Sequence, residues 1–359
     1  MKLLHAADFH LDSPFAALSP EQAAQRRSEQ RALLERLAEL CRTRGASLLL
    51  LAGDLFDGER VYKETVNALR EALAACPMPV LIAPGNHDSL RPDSPYLTSS
   101  WPENVHIFTS RQITAADFPE LDCRVYGAGF QTEHCEPLLE GFRAKQDGRI
   151  NLMVLHGDAA GGSDYNPITP AQVAASGLDY LALGHIHKRG TLEAGGTLCA
   201  WPGCAMGRGF DETGEKGLYE LTLDGSNRRL DFLPLGARRY EILEIPATDD
   251  PLAAVTQALP AGTESDIYRI LLTGESTGID LPALEATLAP RFFSLQLRDR
   301  TVPPQNLWEG VGEDTLKGRF LAGMKARMDH ATSETEREAL LFGLRAAVAL
   351  FDGREAPTL

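Results

Sequence analysis

The chain has 359 residues, too many for one small core and enough for two or three domains. Hydrophobic residues make up 43% and charged residues 24%, the mix of an ordinary globular protein, and no apolar run is long enough to span a bilayer. The net charge of −15 opposes a polyanionic partner unless a local basic patch or bound cations overcome it.

The acidic excess is denser toward the C-terminus: residues 1–240 carry 24 basic and 31 acidic side chains, and the last 119 carry 11 and 19. The tail is therefore the more acidic part per residue. "MKLLHAADFH" places His and Asp where a secretory signal is apolar, so the expected location is cytoplasmic, with no membrane association. The cysteines at 41, 76, 123, 135, 199 and 204 show no C-x-x-C spacing and read as reduced structural thiols.

In chain order, short continuous apolar runs over 2–6, 47–52, 79–83, 105–108, 124–126, 151–155, 180–183, 198–201, 218–223 and 230–235 predict strands covered on both faces. A helix lies between the first two. Ser19 caps it, Pro20 opens it, Gln22 completes a capping box and Gly45 ends it. A second helix spans about 61–75. This is a layered α/β pattern. After about residue 240, strands over 240–245, 267–272 and 294–297 alternate with helices over 251–259 and 281–288. A Pro-marked segment, "TVPPQN" (301–306), precedes two amphipathic helices over 314–330 and 334–351. The expected domains are 1–238, 239–300 and 301–359.

Five motifs stand at the C-terminal ends of predicted strands, where ligands of open α/β sheets bind. They are "DFH" (Asp8, His10), "GDLFD" (Asp54, Asp57), "GNHD" (Asn86, His87), "LHGD" (His156) and "GHIH" (His185, His187). A lone D-x-H or strand-end histidine reads equally well as a satisfied polar residue. Five of the nine histidines falling in such motifs does not. Carboxylates mixed with imidazoles suit Mn²⁺, Fe²⁺ or Zn²⁺ rather than an all-oxygen cage. A two-metal hydrolase needs one bridging carboxylate, and Asp54, at a tight strand exit after Gly53, is the natural bridge. Asn86 can offer an amide oxygen. His87 is left to contact substrate and to stabilise charge or protonate the leaving oxygen.

With "HAADFHLDSPF", "AGDLFDG", "APGNHD", "VLHGD", "ALGHIHKRG" and "WPGCAMGRGFDETGEKG" (201–217) in view, the sequence resembles the calcineurin-like metallophosphoesterase superfamily. Within it, the chain resembles DNA double-strand-break repair nucleases of the SbcD type, in their YhaO-like branch. The resemblance implies a four-layer α/β/β/α core of two packed mixed sheets flanked by helices, a small α+β capping domain and C-terminal helices. It implies two divalent ions, Mn²⁺ first. One is held by Asp8, His10, Asp54 and His187, the other by Asp54, Asn86, His156 and His185, and His87 meets the scissile phosphate. It further implies exonuclease and single-strand endonuclease activity on DNA, homodimeric cores, and docking of the C-terminal helices on the coiled coil of an SMC-like ATPase.

Other residues keep two readings. Asp57 supports His87 or simply turns the chain. Lys188, Arg189 and Arg208 meet phosphates or are solvated surface cations. The C-terminal helices pack on each other or await a partner helix. Two rival functions also stand: hydrolysis of small phosphodiesters or phosphoproteins, and a non-catalytic scaffold for the ATPase. Protein phosphatases of the superfamily follow GD-x-x-D with Arg-Gly, whereas this chain reads Gly58-Glu59-Arg60.

Overall fold

The computed structural model describes residues 1–353 except 59–60, 160–163, 226, 277 and 303–305. Glu59 and Arg60, which carry the contrast with protein phosphatases, lie outside the described residues, as do both prolines of the 301–306 segment.

The chain begins β1 (Lys2–Ala6), α1 (Pro20–Thr43), β2 (Leu48–Leu51), α2 (Lys63–Ala74), β3 (Val80–Ile82), α3 (Pro95–Thr98) and β4 (Val105–Ile107). It continues with β5 (Thr114–Phe118), β6 (Cys123–Gly127), β7 (Ile150–His156), α4 (Pro170–Ala175), β8 (Tyr180–Gly184), β9 (Gly190–Ala194) and β10 (Thr197–Trp201). Then come β11 (Gly217–Asp224), β12 (Asn227–Pro234), β13 (Tyr240–Pro246), α5 (Pro251–Ala258), β14 (Ile267–Thr273), α6 (Leu281–Leu288) and β15 (Ser294–Asp299). The last two are α7 (Leu316–His330) and α8 (Glu334–Phe351). Every strand expected from the sequence is present. β5, β9, α3 and α4 are additional: the strands are half-exposed sheet edges, and the helices span only four and six residues.

Two six-stranded mixed sheets form the core. The first runs β12-β11-β1-β2-β3-β4, parallel from β1 to β4 and antiparallel beyond. The second runs β5-β6-β7-β8-β10-β9, with β6, β7, β8 and β10 parallel between antiparallel edges. Side-chain alternation builds the layers. Leu3, Leu48, Leu50 and Leu81 pack against Val125, Leu152, Val154 and Ala182 between the sheets. Their neighbours Leu4, Leu49, Leu51 and Ile82 face outward onto Leu34, Leu37, Leu69 and Leu73 of α1 and α2. On the far side Met153, Leu155, Leu181 and Leu183 meet Val173 of α4. Both faces are covered, which is why the strands read as unbroken apolar runs; each buried leucine contributes about 1.5–3 kcal/mol. The order of layers is α/β/β/α.

The capping box on α1 forms: Ser19 Oγ accepts from Gln22 N at 3.3 Å, and Gln22 Oε1 accepts from Ser19 N at 3.4 Å. Gly45, at φ 62°, turns the chain out of the helix. One buried polar residue of α1 serves the loop after β1, where Gln30 Nε2 donates to the carbonyls of His10 at 2.8 Å and Phe9 at 3.3 Å.

The chain divides into two compact units. One comprises Met1–Leu243, Leu259–Ile270 and Glu285–Leu297, and the other Glu244–Ala258, Leu271–Leu284 and Arg298–Leu359. In the second, α7 and α8 pack through Leu321, Met324, Leu344 and Val348, while Leu316 and Leu350 stay exposed. Among the described residues no helix is long and apolar enough to cross a membrane.

Candidate metal centre

Parallel strands deliver their C-terminal loops to one edge. Past β1 and β2 the backbones run on together, with Asp8 N on Gly53 O at 3.1 Å, His10 N on Asp54 O at 2.9 Å and Leu11 N on Leu55 O at 2.8 Å. Asp8, His10, Asp54 and His185 all hold a left-handed backbone, a costly state for residues other than glycine and typical of functional sites. Two glycines make the close packing possible. A Cβ on Gly184 would strike Ala52 O, the carbonyl that receives His156 Nδ1, and one on Gly85 would strike Asp54 Oδ1.

All eight residues expected to hold metal or substrate converge. Asp54 Oδ2 lies between two imidazoles, 3.7 Å from His10 Nε2 and 3.4 Å from His156 Nε2. On one side His10 Nε2 faces His187 Nε2 at 3.1 Å, and His187 Nε2 is 4.0 Å from Asp8 Oδ1. On the other, Asn86 Oδ1 is 2.8 Å from His156 Nε2 and 3.3 Å from His185 Nδ1. Candidate ligand atoms of Asp8, His10 and His187, of His10, Asp54 and His87, and of Asp8, Asp54 and His156 form three groups within 4.8 Å. Asp8 thus stands near both sides.

The donor set fits divalent cations. Carboxylates only accept, so His10 must donate Nδ1–H to Asp57 (3.3 Å) and His187 must donate Nδ1–H to Glu212 (2.7 Å). Both Nε2 lone pairs then point at each other, a repulsive pair that a shared cation relieves. His156 Nδ1–H is committed to Ala52 O at 2.9 Å, so its Nε2 meets Asn86 Oδ1 either protonated or across a cation. Asp8 and Asp54 are fully buried, and buried carboxylates require cationic partners.

Titration in the chain alone reflects the same crowding. Burial raises the Asp8 carboxyl to about 6 against the pull of His156 and His187. Burial also opposes ionisation of Asp54, yet His156 and His10 hold that carboxyl well below the usual range. His156 is the counterpart, lowered by burial but lifted by Asp54 to about 9. Burial depresses His10 and His185 to about 4.

Of the residues with two readings, Asp57 touches the site. Its Oδ1 is 3.2 Å from His87 Nδ1, its Oδ2 accepts from Ser13 Oγ at 2.8 Å, and the pairing raises the His87 pKa. Arg208 also reaches the cluster, 3.6 Å from Asp57 and 3.0 Å from Glu212. Lys188 and Arg189 are exposed, and the Arg189 guanidinium stacks on Phe232 at 4.2 Å.

Two organisers escaped the sequence reading. Asp88, the last residue of "GNHD", is a tie between loops rather than a ligand. It accepts from Gly85 N at 2.7 Å, Leu55 N at 2.7 Å, Asp54 N at 3.2 Å and Tyr96 Oη at 2.6 Å. Glu212, almost fully buried, fixes His187 and accepts from Arg208 N at 2.7 Å. A carboxylate four residues after Arg208 in "GRGFDE" was the available signal.

Residues 1–189 match the calcineurin-like phosphoesterase family model, and the chain belongs to that family of metal-dependent phosphoester hydrolases with dinuclear sites. A relative from Bacillus subtilis (strain 168), the uncharacterized metallophosphoesterase YhaO, is 35% identical over 232 residues, which are 61% of this chain and 56% of that protein. The chain thus spans little more than half of that curated relative. Among solved structures, a dimetal phosphatase from Danio rerio is similar at 13% identity and a TM-score of 0.44, covering 66% of this chain and 97% of its own. The protein TT1561 of Thermus thermophilus is similar at 12% identity and a TM-score of 0.39, covering 64% and 98%.

Proposed function

We propose that the chain is a dinuclear-metal DNA phosphodiesterase, exonucleolytic and in part endonucleolytic. In this reading it serves double-strand-break repair in the cytoplasm as the nuclease subunit of a complex with an SMC-like ATPase. The observation that carries the reading is the convergence of Asp8, His10, Asp54, Asn86, His156, His185 and His187 around one point, with His87 at its exposed edge. The SbcD-type motif set favours DNA over other phosphoesters, and the mixed carboxylate and imidazole donors favour Mn²⁺.

Bound divalent ions supply Lewis acidity that neutralises phosphate charge and makes water nucleophilic near neutral pH. The chain's own residues do the rest. Asp57 accepts a hydrogen bond from His87 Nδ1–H, which leaves Nε2 for the substrate and favours the protonated ring. His87 Nε2–H then donates to a phosphoryl oxygen and passes its proton to the departing 3′ or 5′ oxygen. Arg208, beside Asp57, adds positive charge at the same edge. The exposed Leu316 and Leu350 on α7 and α8 suit burial by a coiled coil of the ATPase, with the cores of two copies forming the dimer.

The test is a Mn²⁺ titration on end-labelled duplex and single-stranded DNA beside a chromogenic phosphodiester. Mn²⁺-dependent release of nucleotides is expected. Turnover of the chromogenic ester with no cleavage of either DNA would refute the nuclease reading and leave a small-diester hydrolase. Inactivity on all three with two ions bound would leave the scaffold.

A further inference from the structure

Three aromatic rings lead away from the metal centre. His185 lies 5.2 Å from His156, Tyr165 lies 5.0 Å from His185, and His134 lies 5.3 Å from Tyr165, the last two pairs tilted by only 39° and 33°. His134 is exposed and Tyr165 half-buried, so the far end of the ladder offers ring surface to solvent. It opens on a cavity of about 560 Å³ lined by Arg111, Thr132, His134, Cys135, Glu136 and Asp164, a size that suits a small ligand. Thr132 also lines a smaller cavity of about 240 Å³ beside Asn86 and His87, which makes the two neighbours along one wall.

This platform is built into the centre. Cys135 N donates to Asp164 O at 3.2 Å, and Asn166 N donates to Cys135 O at 2.7 Å, tying the two ring-bearing segments together. Asn166, fully buried, donates from Nδ2 to His156 O at 2.9 Å and accepts from Leu138 N at 2.8 Å. The rings are thereby anchored to the backbone of a candidate ligand.

We infer that this cavity is a nucleobase subsite, in which the unpaired base next to the scissile phosphate stacks on His134, whose ring Tyr165 backs. Its charge selects a base over a second phosphate. Its lining carries one guanidinium, Arg111, and two carboxylates, Glu136 and Asp164, which repel phosphate but can accept hydrogen bonds from the exocyclic amines of adenine, cytosine or guanine. Aromatic stacking then supplies affinity with little dependence on sequence. The inference rests on the nuclease reading and narrows its substrate to single-stranded or frayed ends.

The test compares two single-stranded oligonucleotides that differ only in a terminal base or an abasic residue. The wild-type protein should prefer the base-carrying one. In His134→Ala the ratio of the two kcat/KM values should fall about tenfold, chiefly through KM, and His134→Phe should restore it. A parallel titration in EDTA uses an oligonucleotide ending in 2-aminopurine, whose fluorescence should be quenched by wild type and not by His134→Ala. Quenching without cleavage of any oligonucleotide would support the subsite and count against the nuclease reading. An unchanged ratio in His134→Ala, or equal quenching by both proteins, would overturn the subsite.

Discussion

Replacing Glu212 with Gln should weaken metal binding while leaving the fold intact. The carboxylate is almost fully buried and meets four donors: His187 Nδ1 at 2.7 Å, Arg208 N at 2.7 Å, Arg208 Nη2 at 3.0 Å and Arg208 Nε at 3.5 Å. Burial opposes its charge, but the hydrogen bonds from His187 and Arg208 hold it ionised, well below the usual carboxylate range. Gln keeps the shape but has one accepting atom. If its oxygen takes the His187 proton, its amide nitrogen abuts the donors of Arg208. If it flips, the amide donates to His187 Nδ1 and drives the imidazole proton to Nε2, the atom that faces His10 Nε2 and the cluster. Either outcome loses a charge-assisted hydrogen bond of about 1.5–3 kcal/mol. Partners of this kind, when removed, weaken metal affinity about 10- to 100-fold. The assay is the Mn²⁺ concentration giving half-maximal phosphodiester hydrolysis, checked by equilibrium dialysis and by melting in EDTA. The half-saturating Mn²⁺ should rise with little change in maximal rate. An unchanged value would refute the orienting role. A large loss of stability in EDTA would show that Glu212 holds the fold instead.

His87→Ala should keep two ions per chain by elemental analysis while lowering Mn²⁺-dependent hydrolysis about 10²- to 10⁴-fold; loss of metal would make it a ligand instead. Asp54→Ala should empty both sites, and two tightly retained ions would exclude it as the bridge. Removing residues after about 305 should abolish capture of the ATPase in a pull-down yet spare hydrolysis of a small phosphodiester, and undiminished capture would sink the docking assignment. Away from the centre, His5 links the sheets through Tyr180 Oη at 2.8 Å and Leu183 O at 3.0 Å. Burial lowers its pKa from 6.5 to about 3, so the unfolded chain binds the extra proton between those values. Its contribution is complete above about pH 6.5 and is lost as pH falls toward 3, by about 2 kcal/mol between pH 7.5 and 5. Urea unfolding of His5→Gln in EDTA should show that much less pH dependence than wild type, and equal dependence would disprove the coupling.

What the sequence reveals of this molecule follows from how local each constraint is. Strands covered on both faces leave unbroken apolar runs, so β1, β2, β3, β7 and β8 are legible, whereas β5 and β9 are half-exposed edges with no such run. Residues at parallel strand ends are bound to meet, which makes Asp8, Asp54, Asn86, His156 and His185 readable together. Glu212, Asp88, Asn166 and Gln30 act across loops that only the tertiary fold joins: the motifs holding Glu212 and Asp88 do not disclose their partners, and Asn166 and Gln30 carry no local signature. The same tertiary view resolves the charge that counted against a polyanionic substrate. Asp8, Asp54, Asp57, Asp88 and Glu212 are five of the acidic residues behind the net −15, and all five stand in or against the centre, two of them beside the Arg208 guanidinium. When these carboxylates are ionised, two divalent ions cancel the four remaining charges. Part of the acidity that repels DNA in the composition is therefore the metal-binding capacity that lets this face accept a phosphate.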